Sequence, residues 1–350
     1  MPNEKLNILV LAGGESSERE VSLTSAASIV ASLTRSGHMV RTIDTLDGHY
    51  LAVESGRLIT AEKGSPLPLA TLPAGTMPGI SPALARQLGK VKRGEIDVVM
   101  IGLHGGAGEN GTIQALLDLL GIPYTGSAMT ASAIAMNKDI SKRVMQSLDI
   151  PTAEWRRYDR SRRMSAEDIK AAVQGIDLAL PLVVKPIDGG STVGLSMVER
   201  PDQVPEAVGA ALAVADGIII EQYLKGREIT IAVLDSRALP PVEIKPSHAL
   251  YDYTCKYTKG KSQYICPAEI EAAMVEKLSS DAVRLYETIG CRGYARVDFI
   301  VAPDGRYICL ELNTLPGMTE LSLFPMAARA AGIEFDRLLE MLCRLAREGK

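Results

Sequence analysis

The first third of the chain alternates between continuous apolar runs and stretches with a helical spacing of apolar positions. Asn7–Ala12 (NILVLA) is an apolar run closed by two glycines, which predicts a buried strand. Ser17 followed by Glu20 predicts a capping box at the start of a helix. Residues 38–44 and 96–102 predict two more strands. Short turns between strand, helix and strand favour a parallel sheet with helices on its faces.

Residues 45–95 interrupt this pattern with a segment rich in proline and glycine. A structureless loop of that length is unusual inside a compact domain. We interpret the segment as a small hairpin around Ser55 and Gly56, followed by a meander packed on the edge of the first domain. No chemistry is assigned to it.

The rest of the chain predicts two further parts that mix strands and helices. In the central part we expect strands at 182–185, 193–198 and 217–222, a helix at 204–215, and a helix that carries Lys138. In the third part we expect a strand at 228–234, a long helix at 268–290, a hairpin and two closing helices. The predicted domains are residues 1–126, 127–225 and 226–350.

Composition and charge narrow the range of functions. The 350 residues carry a formal net charge of −4 and 46% are hydrophobic, which is ordinary for a globular enzyme and argues against a surface for nucleic acid or anionic membranes. Five irregularly spaced cysteines without a CxxC pair are typical of a reducing cytosol. No stretch has the features of a signal peptide or the roughly 20 apolar residues of a membrane span. We therefore expect a cytoplasmic protein.

The predicted C-terminal hairpin carries the clearest chemical signal. GYARVDFIV and RYICLELN flank Asp304-Gly305, which predicts a two-residue turn. With that turn Asp298 faces Glu311 and Arg296 faces Asn313, and the period of two places all four side chains on one face. Carboxylates directly opposite each other repel. Mg²⁺, which prefers carboxylate and phosphate oxygens, would remove that repulsion.

A solvent-facing polar side of the hairpin is the alternative interpretation of these four residues. The adjoining loop 313–319 (NTLPGMT) invites a close approach of a ligand to the backbone. This loop favours the metal site.

A lysine at the end of an apolar strand suggests phosphate binding. Lys185 closes LPLVVKP, where a lysine needs an anionic partner or a route to solvent. The glycine-rich loop 188–194 (DGGSTVG) could wrap backbone N–H groups round phosphates, although it matches neither the P-loop nor GxGxxG. The strand end at Glu221 could read an adenine through backbone groups, and Glu228 a ribose. Ordinary surface charges are the alternative for both acids.

Two more candidates lie at the expected rim of the N-terminal sheet. Open parallel sheets bind ligands beyond the carboxyl ends of their strands, which is where we expect the loops that carry His104 and Glu18. A structural role is the alternative for each, since Glu18 could simply favour the N-terminus of its helix.

Taken together, these segments resemble the D-alanine–D-alanine ligases of the ATP-grasp superfamily. The similarity runs from Gly13 to Arg329, without the 45–95 segment. The motifs that carry it include GGESSEREVSL, HGGAGENGTIQALL, IPYTGS, ASAIAMNK, VVKPIDGGSTVGLS, EQYLKGREITIAVL, YDYTCKY, QYICPA, GYARVDF and ELNTLPGMTELSLFPMAA. The resemblance implies an α/β fold, with an N-terminal Rossmann-like parallel sheet domain followed by a two-part ATP-grasp module.

The resemblance also implies a nucleotide site with its metals. ATP phosphates would be held by Lys138 and Lys185, the adenine by Glu221, Gln222 and Leu224, and the ribose by Glu228. Two Mg²⁺ (or Mn²⁺) ions would be held by Asp298, Glu311 and Asn313.

A site for the amino acids is implied by the same comparison. The first D-alanine would be held by Glu18 through its ammonium, with His104 nearby, and the second by Ser322 and Leu323 through its carboxylate. The oxyanion of the tetrahedral intermediate would be faced by Arg296 and the Gly317 amide. Ser191 would tether Tyr257 of a lid that also carries Lys256.

The implied reaction joins two D-alanines through D-alanyl phosphate, for the synthesis of peptidoglycan precursors. A carboxylate is a poor acyl donor, and ATP converts it to an acyl phosphate with a good leaving group. Metals and lysines neutralise charge on the transferred phosphoryl group, and a closing lid keeps water from the intermediate. The resemblance also implies a homodimer.

Three positions depart from residues that are usual in the family, and they could adjust the substrate pocket: Asn110, Asn137 and Leu321. A related ligase that joins D-alanine to D-lactate or D-serine is therefore one alternative, although Lys256 and Tyr257 favour an amine nucleophile. A regulatory nucleotide-binding module is another, but it predicts loss of metal ligands or of Arg296, which are all present. An NAD(P)-dependent enzyme would need a GxGxxG motif, and none follows the first strand.

Overall fold

The computed structural model describes residues 4–60, 79–92, 94–159, 176–190, 193–246 and 262–349, which fold around three sheets. The first is five-stranded with the order β4-β3-β2-β1-β5. Its strands and helices are β1 (Asn7–Ala12), α1 (Arg19–Arg35), β2 (Met39–Asp44), β3 (Tyr50–Glu54), β4 (Arg57–Thr60), α2 (Pro82–Leu88), β5 (Val98–Ile101), α3 (Gly106–Glu109) and α4 (Thr112–Leu120). Strand β1 pairs in parallel with β2 and β5, which confirms the predicted parallel arrangement. The hairpin predicted around Ser55 and Gly56 is also confirmed, and it extends the sheet edge.

The predicted capping box at the start of α1 is wrong. Glu18, not Ser17, is the residue before the helix, and its side chain makes no capping hydrogen bond. Ser16 takes the structural role instead, because its hydroxyl accepts from the Glu18 amide at 3.2 Å and donates to the His104 carbonyl at 2.7 Å. The helix start is therefore fixed to a neighbouring loop through Ser16.

The second sheet is four-stranded and antiparallel, with the order β6-β9-β7-β8. Its region contains α5 (Met129–Met136), α6 (Lys138–Ser147), β6 (Trp155–Asp159), β7 (Leu182–Pro186), β8 (Ser196–Val198), α7 (Val204–Leu212) and β9 (Gly217–Gln222). Lys138 is thus the first residue of a helix, and Lys185 and Glu221 lie on adjacent strands.

The third sheet has the order β13-β12-β10-β14-β15, with the short β11 paired to β10. Its region contains β10 (Arg227–Leu234), β11 (Arg237–Ala238), β12 (Val242–Pro246), β13 (Ser262–Ile265), α8 (Ala272–Ile289), β14 (Tyr294–Val301), β15 (Tyr307–Asn313), α9 (Leu323–Ala330) and α10 (Phe335–Glu348). The order and type of the predicted elements are confirmed, while strand and helix ends differ by a few residues.

Buried side chains cross the predicted domain boundaries at 126 and 225. Phe324 and Leu338 of the two closing helices share one apolar core with Val10 of the first sheet. Met145 of α6 shares another with Val297 of the third sheet. The three parts therefore have common cores, and their division into domains stays a prediction. Among the described helices, none is both long and apolar enough to cross a membrane.

Candidate active site

Two cavities lie side by side between the three sheets, with volumes of about 680 and 430 Å³. Both are lined by Lys138, Gly189, Gly190, Arg296 and Glu311. A group that leaves a ligand in one cavity can therefore reach a ligand in the other across these shared residues. We call the smaller space the nucleotide cavity and the larger one the amino-acid cavity.

The nucleotide cavity brings together the residues that the sequence assigned to ATP. The predicted residues on its wall are Lys138, Lys185, Glu221, Gln222, Leu224, Glu228, Asp298 and Glu311. Apolar side chains also line this cavity, among them Val183, Ile244, Ile308 and Leu310. These apolar residues were not predicted from the sequence, because alternate apolar positions on a strand have the same pattern whether they face a core or a ligand cavity.

A buried charge cluster lies at the back of the nucleotide cavity. The Glu221 carboxylate is 2.6 Å from the Lys185 ammonium and 2.9 Å from the Lys142 ammonium. Burial by itself would raise the pKa of Glu221, but the two lysines outweigh it and lower that pKa to about 2. Glu221 is therefore an anion at neutral pH. Lys142 was not predicted from the sequence, because it lies neither at the end of a strand nor in a glycine-rich loop.

The C-terminal hairpin has the predicted pairing at its functional end. Asp298 pairs with Glu311 and Arg296 with Asn313. The two-residue turn, however, is wrong. The Ala302 amide bonds to the Arg306 carbonyl at 2.8 Å, which closes a three-residue loop, 303–305.

A β-bulge restores the register beyond this longer loop. Phe299 pairs with Cys309 while Asp298 pairs with Glu311, so Leu310 is the additional residue on β15. The predicted pairing is right because the loop and the bulge offset each other. The bulge also brings Leu310 to the wall of the nucleotide cavity.

The chemistry of the hairpin's polar side suits a cation shared with a ligand. Arg296 forms a two-point contact with Asp298, with N–O distances of 2.8 and 2.9 Å. The Asn313 side-chain oxygen accepts from the Leu315 amide at 2.8 Å. Across the described part of the chain, no three His, Cys, Asp or Glu side chains are grouped to hold a metal. Two carboxylates and one amide oxygen fit Mg²⁺ that takes its remaining ligands from phosphates and water.

The amino-acid cavity is built largely from loops and helix starts. Its predicted residues are Glu18, His104, Asn313, Gly317, Ser322 and Leu323. The Glu18 carboxylate faces the glycine loop, since a methyl group on Gly190 would lie 3.0 Å from its Oε2 atom. A side chain at Gly190 would crowd the Glu18 carboxylate, and glycine leaves room for this approach of the central part.

His104 is buried at the rim of this cavity. Its Nε2 atom is 3.0 Å from the Ser25 hydroxyl, and its Nδ1 atom is 3.7 Å from the Glu109 carboxylate. Both ring nitrogens therefore face polar groups of the N-terminal part. The contact to Ser25 fixes the ring on α1, beside Glu18.

Ser322 stands directly before α9, where free backbone N–H groups favour an anion. Its hydroxyl is 2.8 Å from the Thr319 hydroxyl and accepts from the Thr319 amide at 3.1 Å. The turn 319–322 is thereby closed on itself. Gly317 lies close to this turn, and a methyl group there would lie 3.0 Å from the Ser322 hydroxyl.

The three sequence departures have different surroundings. Asn110 accepts from the Thr112 amide, and Asn137 caps α6 by accepting from the Ile140 amide. An aspartate would make the same bonds, so these two positions support the backbone. Leu321 is the departure that lines the amino-acid cavity, and 77% of it is exposed. The predicted lid residues Lys256 and Tyr257, and Ser191, lie outside the described residues.

Comparison with known proteins adds independent evidence. The family models described as "D-ala D-ala ligase N-terminus" and "D-ala D-ala ligase C-terminus" match residues 7–127 and 144–344. A D-alanine–D-alanine ligase from Geobacter sulfurreducens is 38% identical over 95% of this chain and 92% of its own length. One from Gloeobacter violaceus is 39% identical over 96% and 98%.

Solved structures of such ligases are similar over nearly the whole chain. The ligase from Bacillus anthracis complexed with ATP has a TM-score of 0.73 at 29% identity, with 98% of both chains covered. The ligase from Coxiella burnetii has a TM-score of 0.77 at 27% identity, with 99% of this chain and 95% of that one covered.

Proposed function

The chain belongs to the D-alanine–D-alanine ligase family, and we propose that it joins two D-alanines with hydrolysis of ATP to ADP and phosphate. The observation that carries the proposal is the pair of cavities that meet at Lys138, Arg296 and Glu311. A nucleotide in one and an amino acid in the other would have the γ-phosphate and the carboxylate at this junction.

The first step transfers a phosphoryl group to the carboxylate of the first D-alanine. Lys138 and Lys185 bind the phosphates, and Glu228 binds the ribose. Asp298, Glu311 and Asn313 would hold Mg²⁺, which would neutralise charge on the phosphates. The apolar walls of the nucleotide cavity hold the adenine beside the strand end at Gln222 and Leu224.

The second step is attack by the amine of the second D-alanine on the acyl phosphate, with phosphate as the leaving group. Glu18 holds the first ammonium beside His104, and Ser322 with the Leu323 amide holds the second carboxylate. Arg296 and the Gly317 amide stabilise the oxyanion; one such donor contributes about 3 to 4 kcal/mol to the transition state. A lid with Lys256 and Tyr257, tethered through Ser191, excludes water.

Membership of the family also supports a proposal about the setting of the enzyme. We propose that the dipeptide serves peptidoglycan precursor synthesis, that the protein acts in the cytoplasm, and that it is a homodimer. The three-domain division at 126 and 225 is part of this proposal.

Phosphate release with single amino acids tests the proposed function. We expect release with ATP, Mg²⁺ and D-alanine, formation of the dipeptide by mass spectrometry, and no release with L-alanine. D-Serine and D-lactate, each added with D-alanine at several pH values, test the second substrate, beside which Leu321 lies. Equal release with L-alanine would refute the proposal, and preferred incorporation of D-lactate would replace the dipeptide by an ester product.

A further inference from the structure

Lys142 is a buried lysine one helical turn after Lys138. Its side chain is 1% exposed, although lysine is among the residues least often buried without a partner. An isolated buried ammonium costs several kcal/mol, so a lysine in this position requires compensating contacts.

All three N–H groups of the Lys142 ammonium have an acceptor nearby. The acceptors are the Thr152 hydroxyl at 2.7 Å, the Ala153 carbonyl at 3.1 Å and the Glu221 carboxylate at 2.9 Å. The Trp155 ring lies under the charge, with its centre 5.2 Å away. The ammonium is therefore held by two hydrogen bonds, to Thr152 and Ala153, and by an ion pair with Glu221.

Glu221 is shared between two lysines of different exposure. One carboxylate oxygen faces Lys142 and the other faces Lys185, which also lines the nucleotide cavity. Two ammonium groups and one carboxylate leave one positive charge in the cluster. A Lys185–Glu221 pair alone would be neutral, and it would hold the Lys185 ammonium away from a phosphate.

Lys142 also connects this cluster to the metal-binding hairpin. The Thr152 hydroxyl that accepts from Lys142 donates to the Cys309 carbonyl at 3.0 Å. The Cys309 amide in turn donates to the Pro151 carbonyl at 2.7 Å. Cys309 lies two residues before Glu311 on β15, so the two walls of the nucleotide cavity are bridged through segment 151–153.

We propose that Lys142 is a positioning residue of the nucleotide site, which takes one oxygen of Glu221 so that the charge of Lys185 stays available to the ATP phosphates. This inference rests on the proposed ATP-dependent function. Lys142 lines neither cavity, and it acts through Glu221 and segment 151–153.

The principal test is the substitution Lys142→Met, which approximately keeps the length of the side chain and removes its charge. We expect the KM for ATP and the Kd for Mg·ADP to rise about tenfold, the size of one charge-assisted contact, while the KM for D-alanine stays within about twofold. Lys142→Gln, which retains two N–H donors, should show the same direction.

A matched control separates charge sharing from simple loss of stability. Tyr307→Phe removes the hydrogen bond of 2.7 Å between the Tyr307 hydroxyl and Asp281 in the same core, and it should lower Tm without raising the KM for ATP. The double variant Lys142→Met/Glu221→Gln again leaves one positive charge in the cluster. Its KM for ATP should fall below that of Lys142→Met, roughly to threefold above wild type, because coupled sites are not additive.

The outcomes distinguish the two levels of inference. A wild-type protein that makes no ADP with D-alanine refutes the proposed function, whatever Lys142 does. An active wild type with an unchanged KM for ATP in Lys142→Met overturns the positioning role. Defects that multiply in the double variant also overturn it, because they would mean that Lys142 does not act through Glu221. Failure of both Lys142 single variants to fold would assign Lys142 to stability alone.

Discussion

The nucleotide cavity and the amino-acid cavity are built in different ways. Most charged residues of the nucleotide cavity are on strands β7, β9, β10, β14 and β15. The predicted residues of the amino-acid cavity lie largely in loops. Glu18 and Ser322 each directly precede a helix, and His104 follows strand β5. A strand fixes the direction of each side chain through its pairing, whereas a loop residue is directed by contacts from other parts of the chain.

Because of this difference, the nucleotide cavity should be the more rigid of the two, and the amino-acid cavity should vary more readily in sequence. The nucleotide cavity has buried, mutually compensated charges, such as Glu221 with its two lysines. The amino-acid cavity holds the exposed departure Leu321 beside Ser322. We therefore expect substitutions in the nucleotide cavity to affect the ATP-dependent reaction with every amino-acid substrate. Substitutions in the amino-acid cavity should instead change which amino acid is used.

The largest effect is expected at the junction of the two cavities. Glu311→Gln removes one of two facing carboxylates and should reduce ADP formation about a thousandfold or more, because the charge on the phosphates is no longer neutralised. Steady-state ADP formation with saturating D-alanine measures it, with Tm as the control for folding. Turnover within tenfold of wild type would remove Glu311 from the metal site.

The next effect concerns the buried ion pair between Arg19 and Asp44, where Arg19 directly follows Glu18 in the chain. The Arg19 guanidinium donates to the Asp44 carboxylate at 2.9 Å, and Asp44 also accepts from the Gly14 amide at 3.2 Å. Asp44→Asn leaves a buried arginine without its anion and should lower the free energy of unfolding by about 3 kcal/mol. Urea denaturation measures the change. The surface pair Arg41–Glu95 is the matched control, and Glu95→Gln should change stability by less than about 1 kcal/mol. Equal losses in both variants would contradict the importance of burial.

A smaller effect distinguishes the cavities directly. Ser322→Ala removes the hydroxyl before α9 and its contacts with Thr319. We expect the KM for the second D-alanine to rise about tenfold, because one hydrogen bond to a carboxylate is lost, while the KM for ATP stays within about twofold. A rise in the KM for ATP alone would show that Ser322 does not contribute to binding of the second D-alanine.

The same contrast explains what the sequence could predict. The predicted turn and the strand period together placed four side chains on one face, and their pairing is confirmed: Arg296, Asp298, Glu311 and Asn313. The turn was wrong, because a three-residue loop and a bulge at Leu310 give the same pairing and local residue preferences do not separate the two. The capping box was wrong because Ser16 bonds to the distant His104 carbonyl. Lys142 was missed because its partner Glu221 is 79 residues away along the chain.

The smallest expected effect is a pH dependence at Glu221. The folded-state pKa of about 2 lies below the ordinary value of about 4.5. The stabilisation is therefore fully present above pH 4.5 and is lost as the pH falls towards 2. We expect the stability difference between wild type and Glu221→Gln to be constant from pH 8 to 6, and to shrink by about 1 kcal/mol from pH 6 to 4. Urea midpoints at each pH measure it. A flat difference for Glu221→Gln would mean that the two lysines do not hold this carboxylate as an anion.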